Sequence, residues 1–251
     1  MSELTDAELE RYARHMVLPE LGGVGQRRLK QSSVAVIGAG GIGSAVIPAL
    51  AGAGIGRLTI IDDGAVERSN LQRQTMFRDD QIDVPKAQLA TRFAGALNPD
   101  IAVHGIAQRL DEGNAERLLS GHDLVLDGCD NFATRLLVGD SATKLRIPLV
   151  SAAAVQFQGQ VALFRGWEAA KPCYRCFVGE AFDADDCDNC VEQGVLGALT
   201  ATTGSFAALV AIRTLARIGE DAAGKLFLFN GLSLEWRTIR LPKDPGCKTC
   251  G

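Results

Sequence analysis

One stretch in the first quarter of the chain narrows the folding options more than any other. Ser33-Val-Ala-Val-Ile37 is a short apolar run of the kind that fills a parallel strand buried on both faces. Gly38-Ala-Gly-Gly-Ile-Gly43 follows at once, the Ala-rich segment Ser44–Gly54 reads as a helix, and Leu58-Thr-Ile-Ile-Asp62 reads as a second strand. Strand, glycine turn, helix and strand within about 30 residues make a βαβ unit. Gly38 permits the tight turn, Gly40 lets the backbone approach a phosphate, and Gly43 allows the helix to pack closely on the strand. Asp62 stands at a strand end, about 20 residues beyond the turn, where a carboxylate binds ribose hydroxyls. The pattern predicts a nucleotide without saying which. A turn that serves helix packing alone, or an NAD- or FAD-dependent oxidoreductase, would use the same glycines.

The alternation continues. Lys86–Leu97, Asn114–Leu119 and Ala133–Arg146 read as helices, and Ile101–Ile106, Leu124–Asp127 and Leu149–Ala152 as strands. After that the period changes. Gln160–Phe164, Leu226–Phe229 and Trp236–Leu241 read as strands able to pair antiparallel, with a helix over Gly204–Ile218 between them. The predicted fold is a doubly wound, Rossmann-like, mostly parallel α/β sheet continued by antiparallel strands. At the N-terminus, Thr5-Asp6-Ala7-Glu8 is a capping box that starts a helix through about His15, with Arg11 and Arg14 on one face. Three regions are expected: an N-terminal helical arm (1–30), a nucleotide-binding α/β domain (31–165) and an extension (166–251).

Composition excludes other classes. With 47% hydrophobic and 22% charged residues in 251, the chain can bury a full core. A net charge of −4 argues against nucleic acid as a partner. The polar, acidic start MSELTDAELE is no targeting peptide. The longest apolar stretch is interrupted by Arg213 and Arg217, so no membrane span is expected. The chain is expected to be a soluble, cytoplasmic protein. Six of its seven cysteines form three Cys-x-x-Cys pairs: Cys173/Cys176, Cys187/Cys190 and Cys247/Cys250. Inside cells such pairs bind zinc or handle sulfur more often than they form structural disulfides.

The block Asp62-Asp-Gly-Ala-Val-Glu-Arg-Ser-Asn70-Leu-Gln-Arg73-Gln74 has no evident role in binding a dinucleotide. It does carry Asn70 and Arg73 to where a triphosphate tail would run. Lys86 opens a helix after Pro85, where a cation faces the positive end of the dipole. A bound polyanion relieves that conflict, although an ordinary exposed lysine accounts for the residue equally well. Asp127-Gly-Cys-Asp130-Asn131 ends a parallel strand on the edge where this fold binds ligands. A carboxylate converging there with Arg73 and Lys86 suits magnesium on phosphates. The alternative is a helix cap, from Asp130 or from Asn131. Cys173-Tyr-Arg-Cys176 and Cys247-Lys-Thr-Cys250 have the spacing of a four-thiolate zinc site that tethers the C-terminus.

In this order, these motifs resemble the MoeB/ThiF/HesA family, relatives of the ubiquitin-activating enzymes. The resemblance runs from Arg11-Tyr12-Ala-Arg14 to Gly251 and includes Gly-x-Gly-Gly-Ile-Gly-Ser, Ser-Asn-Leu-Gln-Arg-Gln, Pro-Lys86, Leu-Asp-x-x-Asp130-Asn and both outer cysteine pairs. It implies ATP-dependent adenylation of the C-terminal Gly carboxylate of a small ubiquitin-like sulfur-carrier protein ending in Gly-Gly. Pyrophosphate is released, and the product feeds molybdopterin or thiamine biosynthesis with sulfur from a sulfurtransferase. It also implies a nucleotide site built on Gly38, Gly40, Gly41 and Gly43, with Asp62 on the ribose. Asn70, Arg73 and Lys86 would hold the phosphates and Asp130 the Mg2+. Arg14 would reach into the neighbouring subunit of a homodimer, and Zn2+ would be structural. Cys190 matches a family cysteine on a mobile crossover loop that in some members joins the carrier covalently. Cys187 departs from the pattern, so the third pair reads either as redox or metal chemistry or as two exposed thiols.

Overall fold

A computed structural model describes residues 3–179 and 194–251. Cys187 and Cys190 lie outside the described residues.

The chain begins with α1 (Asp6–Arg11), α2 (Ala13–Met16) and α3 (Gly22–Gln31), followed by β1 (Ser33–Ile37), α4 (Gly43–Ala53) and β2 (Arg57–Ile61). Next come α5 (Lys86–Leu97), β3 (Ala102–Ile106), α6 (Ala115–Leu119), β4 (Leu124–Asp127) and α7 (Phe132–Leu145). The chain ends with β5 (Leu149–Val155), β6 (Gln158–Phe164), α8 (Tyr174–Val178), α9 (Gly197–Ala216), β7 (Lys225–Asn230) and β8 (Glu235–Arg240). One eight-stranded sheet runs β3-β2-β1-β4-β5-β6-β7-β8. It is parallel from β3 to β5 and antiparallel from β5 to β8. The sheet is doubly wound, as expected.

Alternation along each strand sends side chains to both faces. Val34 and Val36 join Leu58, Ile60, Leu124 and Leu126 in the core beneath α3, α4, α5 and α9. Ala35 and Ile37 join Ile61, Val125 and Leu149 in a second core, against α6 and α7. With both faces covered, β1 is buried throughout, which is why it reads as an unbroken apolar run.

Three local expectations need correcting. The N-terminal helix breaks at Tyr12, which caps α1 and opens α2, so Arg11 and Arg14 do not share one helical face. Tyr12 is drawn inward instead, with its hydroxyl accepting from Asn98 Nδ2 at 2.8 Å. The Thr5–Glu8 capping box forms as read. The long helix starts at Gly197, about two turns before the expected Gly204, because its first residues pack on the 72–73 backbone: a Cβ on Gly197 would lie 2.3 Å from the Gln72 carbonyl oxygen. A short helix that the sequence did not announce, α8, starts directly after Cys173, carries Cys176 and ends at Gly179. By length and apolarity α9 would suffice to cross a bilayer. Here it packs on α4, β5 and β6, with ten of its residues buried. The division expected at residue 165 falls between β6 and β7, which pair within this one sheet.

Candidate functional site

Strand order reverses between β1 and β4, and their C-terminal ends lie level, with Ile37 opposite both Ile61 and Asp127. Open α/β sheets bind ligands at such a point. The two loops that leave it touch. Gly38 has φ +88°, and a Cβ there would fall 3.2 Å from the backbone of Cys129, so only glycine fits. A Cβ on Gly43 would strike the Gly38 carbonyl oxygen at 2.3 Å, whereas one on Gly40 would meet nothing nearer than Gln74 Nε2 at 3.8 Å. Gly43 closes the turn, and Gly40 keeps space open above it. Gly41 sits against Thr200 of α9.

Asp62 braces this turn from β2. Its Oδ2 accepts from the Ala39 N–H at 2.7 Å and its Oδ1 from the Gly64 N–H at 2.8 Å. Burial pushes its carboxyl above the ordinary value, against the pull of those two N–H groups and Lys86. Lys86 opens α5 behind an N-cap, Pro85, that makes no side-chain hydrogen bond. Its Nζ and Asp62 Oδ1 lie 3.1 and 3.2 Å from the point where a Gly64 Cβ would stand. Beyond β2, Arg73 Nη2 donates to Asn70 Oδ1 at 2.6 Å, and Asn70 Nδ2 donates to Glu67 at 3.1 Å.

On the other side, Asn131 takes the capping role at α7: its Oδ1 accepts from Thr134 N at 2.8 Å. Asp130, beside it, is exposed and spared that task. Asp127 is buried and paired with Arg135 at 3.3 Å.

A cleft of about 850 Å³ unites Gly38, Gly40, Gly41, Asp62, Arg73, Lys86 and Asp130. That volume is within the range of small-ligand sites. Gly43 lies beneath the turn and Asn70 behind Arg73, so neither lines the cleft. Arg14 is exposed on the arm. That arm is anchored by Arg11 on Asp100 at 3.1 Å and by Tyr12 over Gly54.

Two lining residues were missed from the sequence. Gln74 is 4% exposed, and its Oε1 has no hydrogen-bond partner among the described residues. A buried amide oxygen left unpaired costs about 1–3 kcal/mol, so such groups await explanation. Gln74 lay within a block already singled out, but no pattern marks a polar side chain as buried. Arg135 is buried too, and its position inside α7 gave no signal.

The four outer cysteines converge. Cys173 Sγ stands 3.8 Å from Cys176 and 3.6 Å from Cys247, Cys176 stands 3.5 Å from Cys250, and all four sulfurs lie within 4.8 Å of one another. A tetrahedron with metal–sulfur bonds of about 2.3 Å sets its sulfurs about 3.8 Å apart. The backbone N–H of Asp244 points at Cys176 Sγ from 3.4 Å, as outer-sphere donors to thiolates do. The donor set and spacing fit Zn2+.

A model of the ThiF family matches residues 12–249. The chain is 42% identical over 250 residues to the sulfur carrier protein adenylyltransferase of Thermus thermophilus, covering 98% of this chain and 92% of that protein. It is 38% identical over 251 residues to the molybdopterin-synthase adenylyltransferase of Escherichia coli, covering 100% of both. The fold superimposes on E. coli MccB with ATP at a TM-score of 0.84 and 22% identity, over 98% of this chain and 75% of that one.

Proposed function

Since this chain belongs to the ThiF family, we propose that it uses ATP to adenylate the C-terminal glycine carboxylate of a small ubiquitin-like sulfur-carrier protein, releasing pyrophosphate. The observation that carries this reading is a single cleft holding a phosphate-compatible glycine turn, the cationic side chains of Arg73 and Lys86 and the carboxylate of Asp130. Relatives named as adenylyltransferases match along 92% and 100% of their length and support it.

The nucleotide would lie across the β1/β4 switch point. Its ribose would meet Asp62, whose oxygens each retain a lone pair after accepting one backbone N–H. Its phosphates would pass over Gly40 toward Arg73 and Lys86. Asn70 acts through Arg73, holding the guanidinium in one orientation. Asp130 would hold Mg2+, whose charge would offset that of the phosphates and of the leaving pyrophosphate. The carrier's carboxylate attacks the α-phosphate, and the bond to pyrophosphate breaks. A carboxylate is already a competent nucleophile at neutral pH, so no protein base is needed; positioning and charge neutralisation carry the step. None of the three histidines lines the cleft, in keeping with this.

The cleft runs on past the switch point along Ala153, Val155, Gln158 and Gln160. A Gly-Gly tail is narrow enough to thread that path. Arg14 would complete the phosphate side from a second subunit, and Zn2+ on Cys173, Cys176, Cys247 and Cys250 would be structural, its four positions filled. No step is assigned to Cys190. The oxidoreductase alternative rests on the glycine turn alone and leaves Arg73, Lys86 and Asp130 without work. ATP–pyrophosphate exchange, run side by side with molybdopterin-type and thiazole-type carriers ending in Gly-Gly, tests the reading and selects the carrier. Exchange that ignores both carriers would refute it.

A further inference from the structure

The buried Asp127–Arg135 pair has no part in the nucleotide contacts assigned above, yet Arg135 lines the cleft and Asp127 stands behind it. Arg135 Nη1 donates to Asp127 Oδ2 at 3.3 Å and to Ser151 Oγ at 3.2 Å. Its Nη2 donates to the Ala152 carbonyl at 2.9 Å and to the Cys129 carbonyl. Asp127 Oδ1 accepts from the Cys129 N–H at 3.1 Å. One guanidinium therefore ties the end of β4, the middle of β5 and the backbone one residue before Asp130. Loops fixed by side chains from a rigid element hold their geometry better than loops left to themselves.

Arg135 is held in turn. Tyr174, the residue after Cys173, is 4% exposed and lines the cleft beside Arg135, with its hydroxyl against the guanidinium. Its Cβ packs on Gly139, one helical turn beyond Arg135: a Cβ there would stand 2.7 Å away. Asp127 holds Arg135 in its charged form despite burial. Both cysteine knuckles grip the same helix. Arg175 Nε and Nη2 donate to Asp140 at 3.0 and 2.7 Å, and Thr249 Oγ1 donates to Asp140 Oδ1 at 3.2 Å.

We propose that Arg135 and Tyr174 are positioning residues for Asp130, so that the four-cysteine knuckle braces, through α7, the carboxylate that receives magnesium. This rests on the assignment of Asp130 to Mg2+. Residues that orient a metal ligand from behind typically change affinity for the ion by about 10–100-fold when lost. The loss should fall mainly on the ion, because Asp62 braces the glycine turn from its other side and Arg73 and Lys86 are held on other elements.

The test uses the zinc-loaded protein as wild type, Tyr174→Phe and Arg135→Lys, with zinc content and thermal midpoint recorded for each. Binding of a non-hydrolysable ATP analogue is measured calorimetrically with EDTA and across a Mg2+ titration. Tyr174→Phe keeps the ring on Gly139 and deletes only the hydroxyl, so it should retain one zinc per chain and stay folded, with a midpoint lowered by no more than a few degrees. Both variants should need about tenfold more Mg2+ for half-saturation, with binding in EDTA unchanged. An unchanged Mg2+ requirement in a folded, zinc-loaded Tyr174→Phe overturns the inference. So does an equal loss with and without Mg2+, which would mark the pair as merely structural. If the wild type itself binds the analogue without regard to Mg2+, the assignment of Asp130 has failed, and the inference falls with it.

Discussion

Two glycines three residues apart, Gly40 and Gly43, should respond in opposite ways to the same added methyl group. On Gly40 a Cβ would find its nearest neighbour, Gln74 Nε2, at 3.8 Å, and its φ lies outside the left-handed region. Gly40→Ala should therefore fold, and loss of unfolded-chain freedom should stabilise it by about 0.4–1 kcal/mol. In a domain of this size that raises Tm by about 1–4 °C. The methyl stands where the phosphates must approach the backbone, and charge-assisted hydrogen bonds of that kind contribute about 1.5–3 kcal/mol. ATP·Mg2+ affinity should fall by about 10–150-fold. On Gly43 the same methyl lies 2.3 Å from the Gly38 carbonyl oxygen, a backbone atom that cannot step aside. Gly43→Ala should lose about 1–3 kcal/mol or more of stability. Thermal denaturation and calorimetric titration of both variants provide the readout. A Gly40→Ala protein that binds ATP as the wild type does would refute the argument that the phosphates cross this glycine. An undiminished Tm in Gly43→Ala would refute the packing argument.

Other outcomes follow from the same geometry. Arg14→Ala and Arg73→Ala proteins should each be inactive, and subunit exchange between them should restore some adenylation; mixed dimers with no recovered activity would contradict a role in trans. Elemental analysis should give one zinc per chain, lost in Cys247→Ser and kept in Cys187→Ser/Cys190→Ser; loss of the metal in the double variant would overturn the assignment. Gln74→Met removes a buried amide oxygen that lacks a partner, so it should raise stability by about 1 kcal/mol while weakening ATP binding severalfold. A variant neither more stable nor weaker in binding would show that Gln74 faces no ligand.

Much of this was legible because the constraints were local. The glycine turn, the apolar β1 and the strand-end positions of Asp62 and Asp127 are spaced by backbone geometry alone, and the two outer Cys-x-x-Cys pairs met as their chemistry required. What could not be read depended on distant partners. The break at Tyr12 follows from Asn98 and Gly54, which draw its ring inward. The early start of α9 follows from Gly197 packing on the 72–73 backbone. Asp130 and Asn131 were indistinguishable as caps until the α7 N-terminus came into view. The burial of Gln74 and Arg135 belongs to the same class, since a polar residue gives no sequence sign of the side from which it is covered.

The central claim is that the cleft transfers AMP to a carrier's terminal carboxylate. Intact-mass analysis of a Gly-Gly carrier, quenched after mixing with enzyme and ATP·Mg2+, measures that product directly. The account predicts a carrier heavier by one AMP moiety, formed by the wild type with one pyrophosphate per modified chain, and absent with Asp130→Ala. Asp130 does not cap α7, so that variant should keep the wild-type Tm. A carrier that stays unmodified while ATP is consumed, or one adenylated at the wild-type rate by a folded Asp130→Ala, would contradict it.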